Sequence, residues 1–396
     1  MKDLTELTLT DLWKEVKEDF WGEISLGTQK MVKRLMEVTL EEEMAAYIGI
    51  GRYGRSESRR DYRNGYYTRS LLTSFGYISE IKVPRCRKKG FKTTLFERYK
   101  RRQREVDKHI KEMFLLGVST RSVSRVIKPL LNDQVSAQSV SNICKSLSRE
   151  VERFHHRPLR DEYIYLILDG IVVKIKTPLG VKKKVFLCAY EIKGDGKKEF
   201  IDFRVARSES ETQWEGFLNN LFYRGLKGEN LKLITVDGCA GLLRAIETVY
   251  PFVPVQRCWV HKLRNIAVKL PRRIQAECLR GAKKIYLAKN KKEALKRFKQ
   301  WKERWKHIVP RAVSCLEKDL EELLNFMDCP TDHWTKIRTT NGIERVFREV
   351  RKRLRPIGVF SNQASCERIV YSVVYRLNKY WEDNPINPIK NFTQNN

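Results

Sequence analysis

The spacing of apolar residues divides the chain into segments of different period. Leu12, Val16 and Phe20, then Met31, Leu35 and Val38, recur at helical intervals and predict a helical arm within residues 1–65. The arm ends in GIGRYGRSESRRDYRNGYYTRS, which is Gly-rich, polar and basic. From Tyr66 to Pro84 apolar and polar positions alternate, with Ile78, Ile81 and Val83 set among polar neighbours, as in short strands. Residues 66–104 close on RCRKKGFKTTLFERYKRRQR, which is either a solvated tail or a phosphate-contacting surface.

Residues 105–157 read as short helices: EVDKHIKEMFLLG, STRSVSRVIKPLL and SAQSVSNICKSLSREVERF. Gly117 stops the first, and Ser119 and Ser136 are N-cap candidates for the next two. Tight turns between short helices make a helix-turn-helix candidate. A recognition helix starting at Ser136 would expose Gln138, Asn142 and Lys145, and the preceding helix Arg121 and Arg125, side chains able to reach base edges or phosphates. The alternative is a small helical bundle whose exposed residues happen to be polar.

His155, His156 and Pro158 mark an expected linker, after which the texture changes. Three apolar strands fall within 163–206, followed by a helix near 211–225, a strand at 231–238, a helix at 241–250 and a short strand around Pro254–Gln256. Three strands in succession followed by strand–helix alternation predict a mixed α/β sheet over 158–262. Residues 263–335 are basic and helical, with Phe298, Trp301 and Trp305 on one face. Packing in the core of an inserted helical domain is the first reading of that stripe, and base stacking the second. A helix at 342–355 lies in the last part of the sheet domain, 336–385, and an Asn-rich, polar end is expected to be poorly ordered.

Charge adds a partner to this outline. Among 396 residues, 79 Lys and Arg stand against 48 Asp and Glu, a net charge of +31. Such an excess predicts a polyanion, and nucleic acid fits better than a membrane because no apolar run approaches the roughly 20 residues that span a bilayer. The N-terminus lacks a secretory pattern, and the nine cysteines are scattered with no CxxC pair. A reduced cytoplasm is expected, with neither disulfide framework nor zinc finger.

The chemistry falls on three acids. Asp169 follows YIYLIL and Asp237 follows LKLITV, at the ends of strands of the kind buried on both faces, where open α/β sheets place ligands. Each also begins an Asp-Gly pair, a favoured turn dipeptide. Glu344 lies beside the apolar stripe Ile343, Phe347, Val350 and Leu354, on a stripe shared with Arg348, Arg351 and Arg355. With Asn341 three residues before it, Glu344 could instead complete a capping box. Three carboxylates suit Mg²⁺ or Mn²⁺, two of which can activate an attacking oxygen and stabilise a leaving one. Cys258 and His261, in QRCWVHKLRN, are too few for zinc; they belong either to a structural turn or to a local role with Trp259 and His261 facing DNA and Arg264 on phosphate.

LILDG around Asp169, the run TVDGCAGLLRAIETVYPFVPVQRCWVHKLRN and IRTTNGIERVFREVRKRLRPIGVF together resemble the Mutator-like family of bacterial insertion-sequence transposases. The resemblance spans roughly residues 160–380. It implies a ribonuclease-H-like core with Asp169, Asp237 and Glu344 as acidic triad, a helical insertion before Glu344, and Cys258 and His261 as a signature. It also implies two Mg²⁺ or Mn²⁺ ions per site, cleavage at terminal inverted repeats and strand transfer into target DNA. Arg345, Arg348 and Arg351 are then expected to contact that DNA. A homodimer or larger assembly on two ends is expected, located in the bacterial cytoplasm on the nucleoid. A DNA-binding repressor with a degenerate core, and a nuclease of the same fold that hydrolyses without joining, are the alternatives.

Overall fold

Continuous apolar runs form the buried strands, and periodic runs form the helices that cover them. The computed structural model describes residues 20–386 except 89, 98, 132–134 and 356. The first part of the expected arm, with Leu12 and Val16, and the Asn-rich end lie outside the described residues. The chain forms two compact units: residues 1–114 with 118–145, and 115–117 with 146–396. The division falls between Lys145 and Ser146.

In the first unit, helix α1 (Phe20–Ile48) covers an antiparallel hairpin of β1 (Arg63–Thr73) and β2 (Gly76–Cys86). The helix matches expectation, but its buried face does not. Leu40, Met44 and Ile48, spaced i, i+4, i+8, are buried, whereas Met31, Leu35 and Val38 are exposed. The hairpin decides this, since Leu71, Ile78, Ile81 and Val83 meet the helix around Leu40. The basic segment after β2 is no tail. Backbone bonds join Leu72 to Arg101 and Gln103, and Arg102 and Arg104 pair with Asp107 and Glu97.

Helices α2 (Arg104–Leu115), α3 (Thr120–Leu131) and α4 (Ala137–Cys144) follow. Both expected caps form: Ser119 Oγ accepts from the Ser122 amide at 3.1 Å, and Ser136 Oγ from the Ser139 amide at 3.1 Å. Val123, Ile127, Val140 and Cys144 pack inward, leaving Arg121, Arg125, Gln138, Asn142 and Lys145 exposed. Gln138 donates to Asn142 at 3.2 Å. The helix expected to run on to Phe154 breaks at Lys145 and Ser146, because Leu147 and Val151 bury in the second unit as part of α5 (Leu147–His156).

The second unit is built on a five-stranded sheet of order β5-β4-β3-β6-β7: β3 (Tyr163–Thr177), β4 (Gly180–Lys193), β5 (Lys198–Ala206), β6 (Leu233–Val236) and β7 (Val255–Arg257). The first three are antiparallel, while β6 runs parallel to β3 and β7 parallel to β6. Helices α6 (Glu211–Tyr223) and α7 (Ala240–Val249) cover one face through Trp214, Phe217, Leu218, Leu242 and Ile246 against Leu166, Leu168 and Val236. Strand alternation turns Tyr165, Ile167 and Asp169 to the other face. That face is covered by α5, α14 (Asn341–Leu354) and α15 (Gln363–Asp383).

The expected linker at His155–Pro158 is packed structure. His155 Nδ1 lies 2.6 Å from Asp202, whose other oxygen binds Arg224, and Arg224 Nε donates to the Arg157 carbonyl at 2.9 Å. Between β7 and α14 the chain forms α8 (Trp259–Ala267), α9 (Arg272–Tyr286), α10 (Lys291–Trp305), α11 (Pro310–Glu317), α12 (Leu320–Leu324) and α13 (Trp334–Ile337). Phe298, Trp301 and Trp305 are buried there, with Trp301 Nε1 donating to the Cys278 carbonyl at 3.0 Å. They are core, as first read, and offer no face to a base. Among the described residues no helix is long and apolar enough to cross a membrane.

Candidate active site

Asp169 belongs to β3 itself, and Asp237 is the first residue beyond β6. Their strands pair in parallel with Ile167 opposite Thr235 and Leu168 opposite Val236, so the next step along both brings Asp169 alongside Asp237. Asp169 Oδ1 accepts from the Gly170 amide at 2.8 Å, and Asp237 Oδ1 from the Cys239 amide at 3.0 Å. Asp169-Gly170 is no turn, since β3 runs through it to Thr177, whereas the Asp237 bond caps the turn after β6; both carboxyls line one pocket of about 670 Å³.

Glu344 lines the same pocket from α14, whose residues Ile343, Val346, Phe347 and Val350 are buried. The capping box does not form: the helix begins after Thr340, which makes no side-chain cap, and the Glu344 carboxylate turns to Arg264 at 3.3 Å and His261 Nε2 at 3.5 Å. Arg348, Arg351 and Arg355 extend along the rim. Arg345 is exposed but opens on a second pocket.

A fourth acid, Glu209, completes the lining. It lies between β5 and α6 in the sequence SESE, where no apolar period or turn motif distinguishes it from a solvated residue. Its place depends on Gly170. A Cβ there would lie 1.9 Å from Glu209 Oε1, so only glycine leaves room for the carboxylate as it stands. Glycine at 170 was legible as half of a turn; what it accommodates was not.

The site is electrostatically loaded. Burial and then the charge of Asp237 push Asp169 up to about 7, and the same two causes raise Glu209 above its ordinary value. Asp169, Asp237 and Glu209 offer carboxylate oxygens, the donor chemistry that fits a hard divalent cation. Among the described residues, no three His, Cys, Asp or Glu side chains stand close enough together to hold an ion as placed.

Cys258 is buried behind this pocket, and His261 lines it. Cys258 Sγ accepts from the Thr340 amide at 3.3 Å and hydroxyl at 3.4 Å, while the Cys258 amide donates to the Val236 carbonyl at 2.7 Å. Burial would raise the thiol, but hydrogen bonds with His261 and Thr340 outweigh it and hold the group below its ordinary value. The hydrogen bond to Cys258 raises His261 against the opposing effect of burial, and the charges of Asp169 and Asp237 add to the rise. Thr235 Oγ1 donates to the Ile337 carbonyl at 2.6 Å, and the Trp259 amide to that of Arg338 at 3.2 Å. Four bonds from the ends of β6 and α8 thus fix the segment that launches α14, and with it Glu344.

One expected contact residue is misplaced. Trp259 is 1% exposed, its Nε1 donating to the Leu323 carbonyl at 2.7 Å and its ring packed on Tyr286 at 4.9 Å. It is a core anchor for the inserted helices and cannot face DNA in this arrangement. His261 and Arg264 do line the pocket. Arg121, Arg125, Gln138, Asn142 and Lys145 belong to the other unit.

The pocket is thus acid-lined and arginine-rimmed, just past the last paired residues of the parallel strands β3 and β6, in a strongly basic chain. The chain belongs to the Mutator family of transposases, whose family model, described as Transposase, Mutator family, matches residues 9–384. It is 35% identical over 355 residues to the transposase for insertion sequence element ISRM5 of Rhizobium meliloti, covering 90% of this chain and 88% of that one. It is 33% identical to the transposase for IS406 of Burkholderia multivorans, over 90% of this chain and 91% of the relative. For the transposase of IS256 in transposon Tn4001 of Staphylococcus aureus the identity is 34%, over 86% and 87%.

Proposed function

We propose that the protein cleaves transposon ends and joins them to target DNA by metal-assisted phosphoryl transfer at Asp169, Asp237 and Glu344. The observation that carries this reading is that all three acids, remote in sequence, line one pocket rimmed by arginines. The strand order, with three antiparallel strands followed by two parallel ones and the acids at the shared end, supports assignment of the core as ribonuclease-H-like.

Asp169 and Asp237 would hold Mg²⁺ or Mn²⁺ between them, with Glu344 and Glu209 as further oxygen donors. Two bound ions supply activation of an attacking water or 3′-hydroxyl and stabilisation of the leaving oxygen. Arg348, Arg351 and Arg355 would grip the phosphates on either side of the scissile bond, since guanidinium forks match phosphate oxygens. His261 and Arg264 hold Glu344 until substrate and metal compete for it. In the other unit, exposed Gln138 and Asn142 would read base edges of the inverted repeats, with Arg121, Arg125 and Lys145 on phosphates. Joining two ends calls for two copies of the chain or more.

The test is strand transfer with a DNA carrying the terminal repeats and Mg²⁺. Asp169→Ala, Asp237→Ala and Glu344→Ala should each lower joining by about a thousandfold or more, with duplex binding retained. Joining retained by any one variant would remove that residue from the mechanism. Hydrolysis without joining by the native chain would point to a nuclease, and repeat binding without cleavage under any metal to a repressor.

A further inference from the structure

On the other side of α14 lies a second pocket, of about 400 Å³, between that helix, strands β4 and β5, and the end of α15. Glu344 and Arg345 are successive residues of α14 and open on different pockets, while Arg348 lines both. Lys198, Lys336 and Arg345 converge here. Among the described residues none of the three has an ion-pair partner, and Glu349, the acid in the lining, is committed to Lys352 at 2.7 Å and Arg376 at 3.4 Å. Burial, then the charges of Lys336 and Arg345, hold the Lys198 ammonium below its ordinary value.

Aromatic surface stands beside these cations. Tyr380 is 59% exposed and Trp381 packs edge-on against Tyr190, with their centroids 5.4 Å apart. The Lys198 ammonium sits 5.6 Å from the Trp381 ring centroid. Gly342 keeps the floor open, as a Cβ there would come within 3.0 Å of the Tyr190 ring. Cations without protein counter-charge need an anion, and an exposed ring next to them offers a stacking face. Single strands are bound by this combination, with phosphates on the basic groups and bases on the aromatics. A pocket of this volume admits a nucleotide but not a duplex.

We propose that this second pocket holds an unpaired nucleotide of the DNA strand that occupies the acidic pocket, its base on Tyr380 and its phosphates on Lys198, Lys336 and Arg345. Arg348 bridges the two positions, so a strand leaving the acids passes directly into it. The inference rests on the proposed function only in taking DNA as the occupant of the first pocket.

Binding is measured on the full chain in EDTA, so that it does not depend on cleavage, by fluorescence anisotropy of a labelled oligothymidine of about 12 nucleotides. Lys198→Glu combined with Lys336→Glu should weaken binding about tenfold or more at about 150 mM salt. The charge-matched control Lys182→Glu with Lys183→Glu, on the exposed first part of β4, should weaken it by less than about threefold. Tyr380→Ala should weaken the single strand about tenfold and leave a duplex within about twofold. Equal losses in pocket and control variants, or no single-strand effect at Tyr380, would overturn the assignment. An oligonucleotide carrying 5-bromouracil, photo-crosslinked to the native chain, needs no variant: adducts on residues 377–381 are expected, and adducts confined to other segments overturn it. Thymidine monophosphate at about 1 mM should not compete with the crosslink, because it lacks the neighbouring phosphates. Competition equal to that of the oligonucleotide would make this a free-nucleotide site instead. Loss at this pocket with joining intact counts against nothing in the proposed chemistry, and the acid variants test that chemistry separately.

Discussion

Asp169 and Asp237 occupy equivalent positions on adjacent parallel strands, one residue past the paired Leu168 and Val236. Neither acid has a cationic partner among the described ion pairs, and the pair is held together by sheet register alone. The consequence is repulsion built into the fold, which raises Asp169 to about 7 after burial has done the larger part.

That repulsion makes the stability of the metal-free chain depend on pH. Between about pH 4 and 7 the folded chain keeps a proton on Asp169 that the unfolded chain has released, so stability is greatest at the acid end and declines as pH rises toward 7. Asp169→Asn removes the decline. In EDTA the variant should be more stable than the native chain at about pH 8, by on the order of 1–4 kcal/mol, and nearly equal to it at about pH 4.5. Melting curves at the two pH values check this, and a gap that is the same at both would show that Asp169 ionises like an exposed carboxyl.

Gly170 and Glu209 should behave as one unit. Gly170→Ala places a methyl where the Glu209 carboxylate now lies, and the side chain must swing away. Both Gly170→Ala and Glu209→Gln are expected to lower strand joining by about 10–100-fold, and the double variant to be little worse than either. Multiplying losses in the double variant would separate the two.

Thr340 joins the start of α14 to Cys258, with its hydroxyl 3.5 Å from His261 Nδ1. Thr340→Val should cost about 1–2 kcal/mol and reduce joining through a displaced Glu344, whereas Cys258→Ser, which can still accept both bonds, should retain more activity than Cys258→Ala. Urea unfolding and joining rates measured together decide it. If Cys258→Ser and Cys258→Ala are equally impaired, the sulfur does more than accept hydrogen bonds.

Asp202 is 2% exposed and receives both His155 and Arg224. Removing it strands the nearly buried Arg224, so Asp202→Ala should destabilise the chain by about 3–5 kcal/mol and loosen α5 from β5. Denaturant midpoints and proteolysis near His155 test this. A variant as stable as the native chain would mean that Arg224 finds other partners.

The linear order of residues determined a good deal. The apolar run before Asp237 placed that acid at a strand end, while Asp169 proved to lie within β3, which continues to Thr177; the period of α14 put Glu344 at the edge of its buried stripe, because local hydrophobic pattern reports which side of an element faces the core. It also determined the Ser119 and Ser136 caps and the inward packing of Trp301. Tertiary structure decided what depends on a neighbour distant in sequence. The β1–β2 hairpin chose Leu40 over Leu35 as the buried face of α1. The inserted helices buried Trp259, and the burial of Leu147 and Val151 in the second unit ended the expected helix at Cys144. Glu209 became part of the acidic pocket only because a glycine on another strand left space for it. Register brought Asp169 alongside Asp237, and a hydrogen bond from Thr340 to a cysteine 82 residues earlier fixed where the third acid stands. Period along a chain encodes orientation toward a core; which groups meet there is set by packing between segments, and no period carries that.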